Sequence, residues 1–532
     1  MSTTFASSVA TRGERTATLS AVALVIACAG WLGFSAGLRP LMLPDEGRYV
    51  GVAWEMLNSG NWLLPTLDGF PFFHKPPLFY WLTGLSLKVF GVSEWAARAA
   101  SVLAASAVAG GLYVFLRRHA PDHRLAPLAV GILVTQPLFF GGAQFANLDM
   151  LVAAMIALTV LLAADAAHKV QRGLSHWRSL TAAYGFAVLG VLAKGLIGVV
   201  LPAIIIVGWL LVRRQLRQLR ALLPVRLILL LLLASTPWFW LMEESYSGFL
   251  DYFFLHHHFQ RFAETGFNNP KPFWFLVPML LVGAFPWSPW IVRTFSASFW
   301  QDRARFDVRA LMVVWVSVVV VFFSLPSSKL VGYILPALPA LAYLLADGFL
   351  AWLDQRSAAS SRAHVQVAFV GAAVVCVALV LLVAYRGSPS LRERVVEAAP
   401  AFQVDDQLVM LDEYPYDLPF HLKAKKSPWV VSDWGRPDLA DKDNWRRELV
   451  EAARFDPGGR QERLLFPSEL TPRACAQAVN ALWIWGKQGF AARFPFLTAE
   501  AAVLSLDHNT LWRVSPDALR QLADCREKPR SG

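Results

Sequence analysis

Apolar residues fall along the chain in long, unalternating blocks at 17–38, 95–116, 125–140, 148–164, 180–192, 196–212, 222–241, 273–292, 310–325, 333–353 and 365–385. A helix needs about 20 mostly apolar residues to cross a bilayer core, so the pattern predicts a polytopic α-helical membrane protein of about eleven transmembrane helices. Positive charge gathers in alternate connections: Arg12 and Arg15; Arg117, Arg118 and Arg124; Lys169, Arg172 and Arg178; Arg213, Arg214, Arg217 and Arg220; Arg303, Arg305 and Arg309; Arg356 and Arg362. Those connections are expected on the cytoplasmic side, because Lys and Arg in short loops bias them inward. An odd number of spans with the N-terminus inside leaves the tail outside.

From residue 386 the pattern changes to mixed charge, with short apolar stretches at 407–411 and 429–431 that read as strands and a helical stretch at 445–453. The expected division is a transmembrane domain over 1–385 and a small α/β domain over 386–532. Composition agrees: 56% hydrophobic residues, 16% charged and a mean hydropathy of +0.44 describe a bilayer protein. A net charge of +11 would suit nucleic acid, but the basic residues sit in short clusters between apolar runs, which is the pattern that orients a membrane protein. Val25-Ile26-Ala27-Cys28 looks like a lipoprotein cleavage site; the chain stays apolar beyond Cys28, so the first block reads as a retained span. Cys28 and Cys376 lie inside apolar runs as small hydrophobes, whereas Cys475 and Cys525 lie in the tail, where an outward location permits a disulfide.

The segment 39–94 is too polar to span and too apolar to float free. A helix starting at Pro44-Asp45 places Tyr49, Val52, Ala53, Met56 and Leu57 on one stripe, which predicts an interfacial helix lying on the membrane. Asp45, Arg48 and Tyr49 share an edge of it, since positions three and four apart are neighbours. Asp45 reads either as an N-cap, with Glu46 in the first turn, or as a carboxylate facing a cleft. Phe70-Pro71-Phe72-Phe73-His74-Lys75-Pro76-Pro77 follows, then a second interfacial helix over 78–90. Lys75, between aromatics and a stiff Pro-Pro pair, suits either a site cation or a side chain snorkelling to lipid phosphates. Lys194, at an outer boundary before Gly195, reads as a snorkelling lysine.

The ordered run DEGRYVGVAWEMLNSGNWLLPTLDGFPFFHKPPLFYWLTGLSLKVFG resembles the first periplasmic loop of the ArnT family, the lipid A aminoarabinose transferases, within the protein-mannosyltransferase-like C-type glycosyltransferases. Residues 146–150, 252–262 and 328–336 resemble the same family, so the similarity covers most of the chain up to about residue 347. Two departures concern the sugar more than the reaction class: the family typically has about thirteen spans, and its acidic residue before Lys-Pro-Pro is His74 here.

The resemblance implies a C-type glycosyltransferase fold in a bacterial inner membrane. It also implies transfer of a sugar from undecaprenyl phosphate to lipid A or a related envelope acceptor. Such a reaction needs fixed cations to stabilise the departing phosphate; Arg48, Lys75, Arg261 and Lys329 are the candidates, with Tyr49 and Tyr333 as donor contacts. Asp45 and Asp149 are the catalytic carboxylates. Asp45 is a general base if the acceptor is a hydroxyl and a sugar-positioning group if it is a phosphate, and Asp149 reads equally as a helix cap. The resemblance also implies a metal site at His74 and His256, for which imidazole suits zinc; the run His256-His257-His258 reads alternatively as a polar surface loop, and no cofactor is required.

No P-loop, dinucleotide-binding glycine fingerprint or HExxH motif occurs, which argues against nucleotide-driven transport, nucleotide-sugar use and zincin proteolysis. A transporter would place its polar residues near the midplane in interrupted helices; here the unusual charges lie at the outer boundary. Protein hydroxyls or an envelope polysaccharide are the alternative acceptors. In the tail, the acidic and aromatic residues 411–421 read as a strand and turn of the tail's own fold or as a cover over the membrane site.

Overall fold

Each apolar block is helical in the computed structural model, which describes residues 20–254, 270–386, 395, 401–440, 444–476, 480–498, 501–506, 508–523 and 525. Among the described residues six helices are long and apolar enough to cross a membrane: Glu94–His119, Leu148–Gln171, Val225–Ser245, Arg303–Ser324, Val331–Leu353 and Ala358–Tyr385. Two bent pairs raise the number to eight if each is one span. These are Leu125–Val134 with Pro137–Ala143, bent by 66°, and Leu276–Gly283 with Ser288–Phe295, bent by 118°. Pro137 and Pro286 stand at the two breaks, where a missing amide hydrogen ends the helical ladder. The other three of the roughly eleven expected spans correspond to Ser20–Gly33 and Ile197–Val212, which are short, and to Trp177–Lys194, which carries charge at both ends.

The chain divides into two compact units. The first comprises Met1–Arg39, His74–Leu82 and Ser93–Ala384; the second comprises Pro40–Phe73, Thr83–Val92 and Tyr385–Gly532. Most of the segment 39–94 therefore groups with residues 385–532, a division finer than the expected cut at 385.

Within the first unit, Leu148–Gln171 lies centrally, with 89% of its apolar window buried, whereas Ala358–Tyr385 lies at the edge with 17%. Two buried acids of this unit are paired, as their desolvation requires. Asp165 receives His119 Nε2 at 2.8 Å and Lys169 Nζ at 2.7 Å, and fully buried Asp347 receives Arg309 Nε at 2.5 Å.

The second unit carries a two-stranded hairpin, β1 (Thr66–Leu67) and β2 (Phe70–Pro71), and a six-stranded sheet. The sheet strands are β3 (Gln407–Leu411), β4 (Trp429–Val431), β5 (Leu464–Leu465), β6 (Leu482–Lys487), β7 (Ala502–Leu506) and β8 (Asn509–Val514), in the order β5-β4-β3-β6-β8-β7. β3 to β6 are mutually parallel where they pair, Val409 standing beside both Trp429 and Ile484, while β8 and β7 close one edge as an antiparallel hairpin. Val409, Leu411, Val431, Ile484 and Trp512 face a buried core with Leu470 and Leu519 of the covering helices. A disulfide joins Cys475 to Cys525 across 50 residues.

Also in the second unit, the helix Asp45–Ser59 ends at Gly60, whose φ of +69° gives the left-handed cap that glycine adopts without penalty. Next to the stripe expected to lie on lipid, Trp54 packs edge-on to Phe420, and its indole N–H donates to Ala424 O at 3.0 Å. Val50, Val52, Ala53 and Met56 are buried too.

Candidate active site

At both helix starts that bear a candidate acid, the N-cap position belongs to another residue. Asp45 is the first helical residue and is exposed, the N-cap position being Pro44; Glu46, fully buried, accepts the N–H of Met42, which precedes the helix, at 2.8 Å. Asp45 thus stands in the first turn beside Glu46, where a carboxylate meets the positive end of the helix dipole. At Leu148–Gln171 the cap is Asn147, whose side chain accepts the Asp149 N–H at 3.0 Å. The capping alternative for Asp149 is replaced in the same way, and its carboxylate is available for side-chain chemistry.

In the first unit, Asp149 pairs with Lys194 Nζ at 2.6 Å, and the same ammonium lies 4.8 Å from the Tyr333 ring centroid. Trp177–Lys194 ends at this point, so its last side chain reaches the start of the neighbouring helix. Lys194 is therefore an ion-pair partner and not the snorkelling lysine expected from its position. Gly332 makes the cluster possible, since a β-carbon there would lie 2.8 Å from Asp149 Oδ2. Tyr333 stacks on Phe323 with centroids 5.1 Å apart, which fixes the ring beneath the ammonium.

Lys329 departs from its expected role as a phosphate contact. It is 3% exposed, and its ammonium donates to the carbonyls of Lys271, Pro326 and Ser327, which uses its donors to hold a loop. His74 lies beside Tyr252, with ring centroids 6.2 Å apart, and it and Lys75 are half-buried. His256 and Arg261 lie outside the described residues. Among the described residues no three His, Cys, Asp or Glu side chains converge to hold a metal, so no step is derived through zinc.

In the second unit, Asp45, Arg48 and Tyr49 form a less buried edge of their helix, as the spacing predicts. Arg48 Nε lies 3.1 Å from Glu448 Oε1, and the guanidinium carbon lies 5.2 Å from the Tyr416 ring centroid. Burial opposes its charge, but Glu448, then Tyr416, Tyr49 and Asp45, more than offset this and hold the guanidinium protonated. Nothing in the sequence near Arg48 signals Glu448, which is 400 residues away by number (448 − 48).

A second buried group was legible in part. Asp68-Gly69, both with positive φ, turn the β1–β2 hairpin, and Asp-Gly between apolar residues is a hairpin signal. Glu55 accepts the Asp68 and Gly69 N–H groups at 2.6 and 2.9 Å and thereby pins the turn. Burial raises the Glu55 carboxyl despite those donors, and burial followed by the Glu55 charge raises Asp68 well above the usual carboxylate range.

The family described as dolichyl-phosphate-mannose-protein mannosyltransferase matches residues 74–240. Among curated relatives, the chain is 33% identical to the undecaprenyl phosphate-alpha-4-amino-4-deoxy-L-arabinose arabinosyl transferase of Erwinia tasmaniensis, over 65% of this chain and 62% of that protein. It is 31% identical to the protein of the same name from Pseudomonas savastanoi, over 60% and 59%. A third relative, arabinosyl transferase 1 of Sodalis glossinidius, is 35% identical over 58% and 55%. The chain thus spans about three-fifths of the length of these curated relatives. Its fold is that of the crystal structure of ArnT from Cupriavidus metallidurans bound to undecaprenyl phosphate, with a TM-score of 0.73 at 21% identity, covering 92% of this chain and 97% of that one.

Proposed function

Because the chain is ArnT-like in sequence and fold, we propose that it transfers a sugar, an aminosugar such as aminoarabinose, from undecaprenyl phosphate to lipid A or a related envelope acceptor. The observation that carries this reading is the 31–35% identity to relatives that share one name for that donor and sugar. In the reaction an acceptor oxygen bonds to the anomeric carbon as the bond from that carbon to the phosphate oxygen breaks, and undecaprenyl phosphate leaves. Lys75, Arg48 and Arg261 stabilise the departing phosphate, and Tyr49 and Tyr333 contact the donor. Lys194, paired with Asp149, joins this set. Asp45 accepts the proton of a hydroxyl acceptor; with a phosphate acceptor, already ionised at neutral pH, it orients the sugar instead.

This reading includes location. Residues 1–385 form a multi-pass domain of the bacterial inner membrane, with 39–94 as its first periplasmic loop. Residues 386–532 form a periplasmic domain, with the N-terminus cytoplasmic. The Cys475–Cys525 disulfide supports an oxidising compartment for the tail.

Purified protein supplied with undecaprenyl phosphate-linked aminoarabinose and lipid A should release undecaprenyl phosphate and add the sugar, as read by mass spectrometry. Asp45→Asn and Lys75→Ala should each lower the rate at least about 100-fold without loss of folded protein. Absence of turnover across a panel of polyprenyl-phosphate sugars would sink the transferase reading. Transfer to protein or polysaccharide but not lipid A would replace the acceptor only.

A further inference from the structure

The expected role of Arg48 depends on where its guanidinium points, and a long exposed arginine has no fixed direction of its own. Here the second unit restrains it. Glu448, 5% exposed, lies on the helix Trp445–Ala452, which is started by Asn444, whose side chain accepts the Arg446 and Arg447 N–H groups. One carboxylate oxygen of Glu448 accepts a short hydrogen bond from the Tyr416 hydroxyl, and the other lies 3.1 Å from Arg48 Nε. That second contact lacks hydrogen-bond alignment, so it is an ion contact. The Tyr416 ring stands against the guanidinium as well, and Gly47 permits the approach, since a β-carbon there would lie 3.0 Å from Tyr416 Cβ. Arg48 nevertheless keeps 23% of its side chain exposed. An arginine held by a buried anion and an aromatic face while part of its side chain stays exposed can meet a further anion.

We infer that Glu448, fixed by Tyr416, is a positioning residue that aims Arg48 at the phosphate of the lipid-linked donor. The inference rests on the proposed transferase reading and gives Glu448 a task in it. A structural ion pair that only fastens the Asp45–Ser59 helix to the tail is the competing account. The two differ in whether donor kinetics change in molecules that remain folded.

The test uses the full-length protein in detergent with undecaprenyl phosphate-linked aminoarabinose and lipid A. Glu448→Gln keeps the shape and removes the charge. It should lower kcat/KM for the donor about tenfold or more, the scale of one charge-assisted contact, with the acceptor KM unchanged. Glu448→Asp should restore part of the loss. In an Arg48→Lys background Glu448→Gln should cost little more, because both act through one group. Donor kinetics per folded molecule equal to wild type, or the same fold-loss in both backgrounds, would overturn the inference. Should Glu448→Gln fail to fold, Tyr416→Phe removes the hydroxyl that fixes Glu448; a smaller donor-specific loss supports the inference, and unchanged donor kinetics overturn it. Failure of wild-type turnover with every donor would instead defeat the transferase reading itself.

Discussion

Asp68 shows how a single side chain can carry a cost that its contacts do not repay. It is fully buried, neither carboxylate oxygen has a hydrogen-bond partner, and the Glu55 carboxylate stands near it, with Arg463 as the opposing charge. Its carboxyl therefore binds a proton more tightly in the folded state than in the unfolded chain. The stability linked to it is complete below the ordinary carboxyl pKa of about 4 and is lost as pH rises through the raised folded value. Asn tolerates the same positive φ and is neutral, so Asp68→Asn should flatten that decline. At pH 7 it should raise the apparent Tm by at least about 2 °C, the shift that 1 kcal/mol produces in a domain of 150–250 residues. Thermal unfolding of both proteins from pH 4 to 7 checks this, and parallel pH slopes would refute it. Glu448 and Lys194 teach a related lesson: each was invisible as a partner because its significance lies in the group it meets, not in its neighbours in sequence.

The helix Asp45–Ser59 was readable as an element. Its stripe of Val52, Ala53 and Met56, its acidic first turn and the glycine at its end all follow helical rules. What covers the stripe was not readable, because an apolar face specifies burial without naming the surface that supplies it. Beside the stripe, Trp54 anchors the same helix through Phe420 and Ala424. Trp54→Ala should therefore destabilise the protein by about 3–5 kcal/mol, as for other buried aromatic truncations. Its effect should appear as a lowered Tm and as faster proteolysis within 40–73 and 407–424. A helix resting only on detergent or lipid would show little change in either. The neighbouring hairpin was marked by Asp68-Gly69, and the roughly eleven apolar blocks were all helical; their conversion into six to eight full spans turned on the two bends and on helix length.

Taken whole, the chain holds two units whose stability has different sources. Helices of the first bury apolar windows to very different degrees, while the small sheet of the second is tied by the Cys475–Cys525 bond. Closing a loop of 50 residues restricts the unfolded chain, so Cys475→Ser with Cys525→Ser should cost about 2–4 kcal/mol. The double variant should unfold at lower denaturant concentration, and wild type in reductant should match it; identical midpoints for all three would show that the bond contributes nothing.

Sequence by itself determined the elements whose cause is local: helical apolar blocks, the acid-bearing helix start at Asp45, the strands at 407–411 and 429–431, and the similarity that points to a lipid-linked sugar. Propensity, capping chemistry and hydrophobic period act over a few residues, so they can be read from them. Only the tertiary structure decided that Asn147 and not Asp149 caps its helix, that Asp149 meets Lys194 beneath the space left by Gly332, that Lys329 spends its donors on a loop, and that Arg48 is held by Glu448. Those outcomes depend on which distant side chains share one low-dielectric space, where an ionic group must find a partner and the fold determines which partner is near.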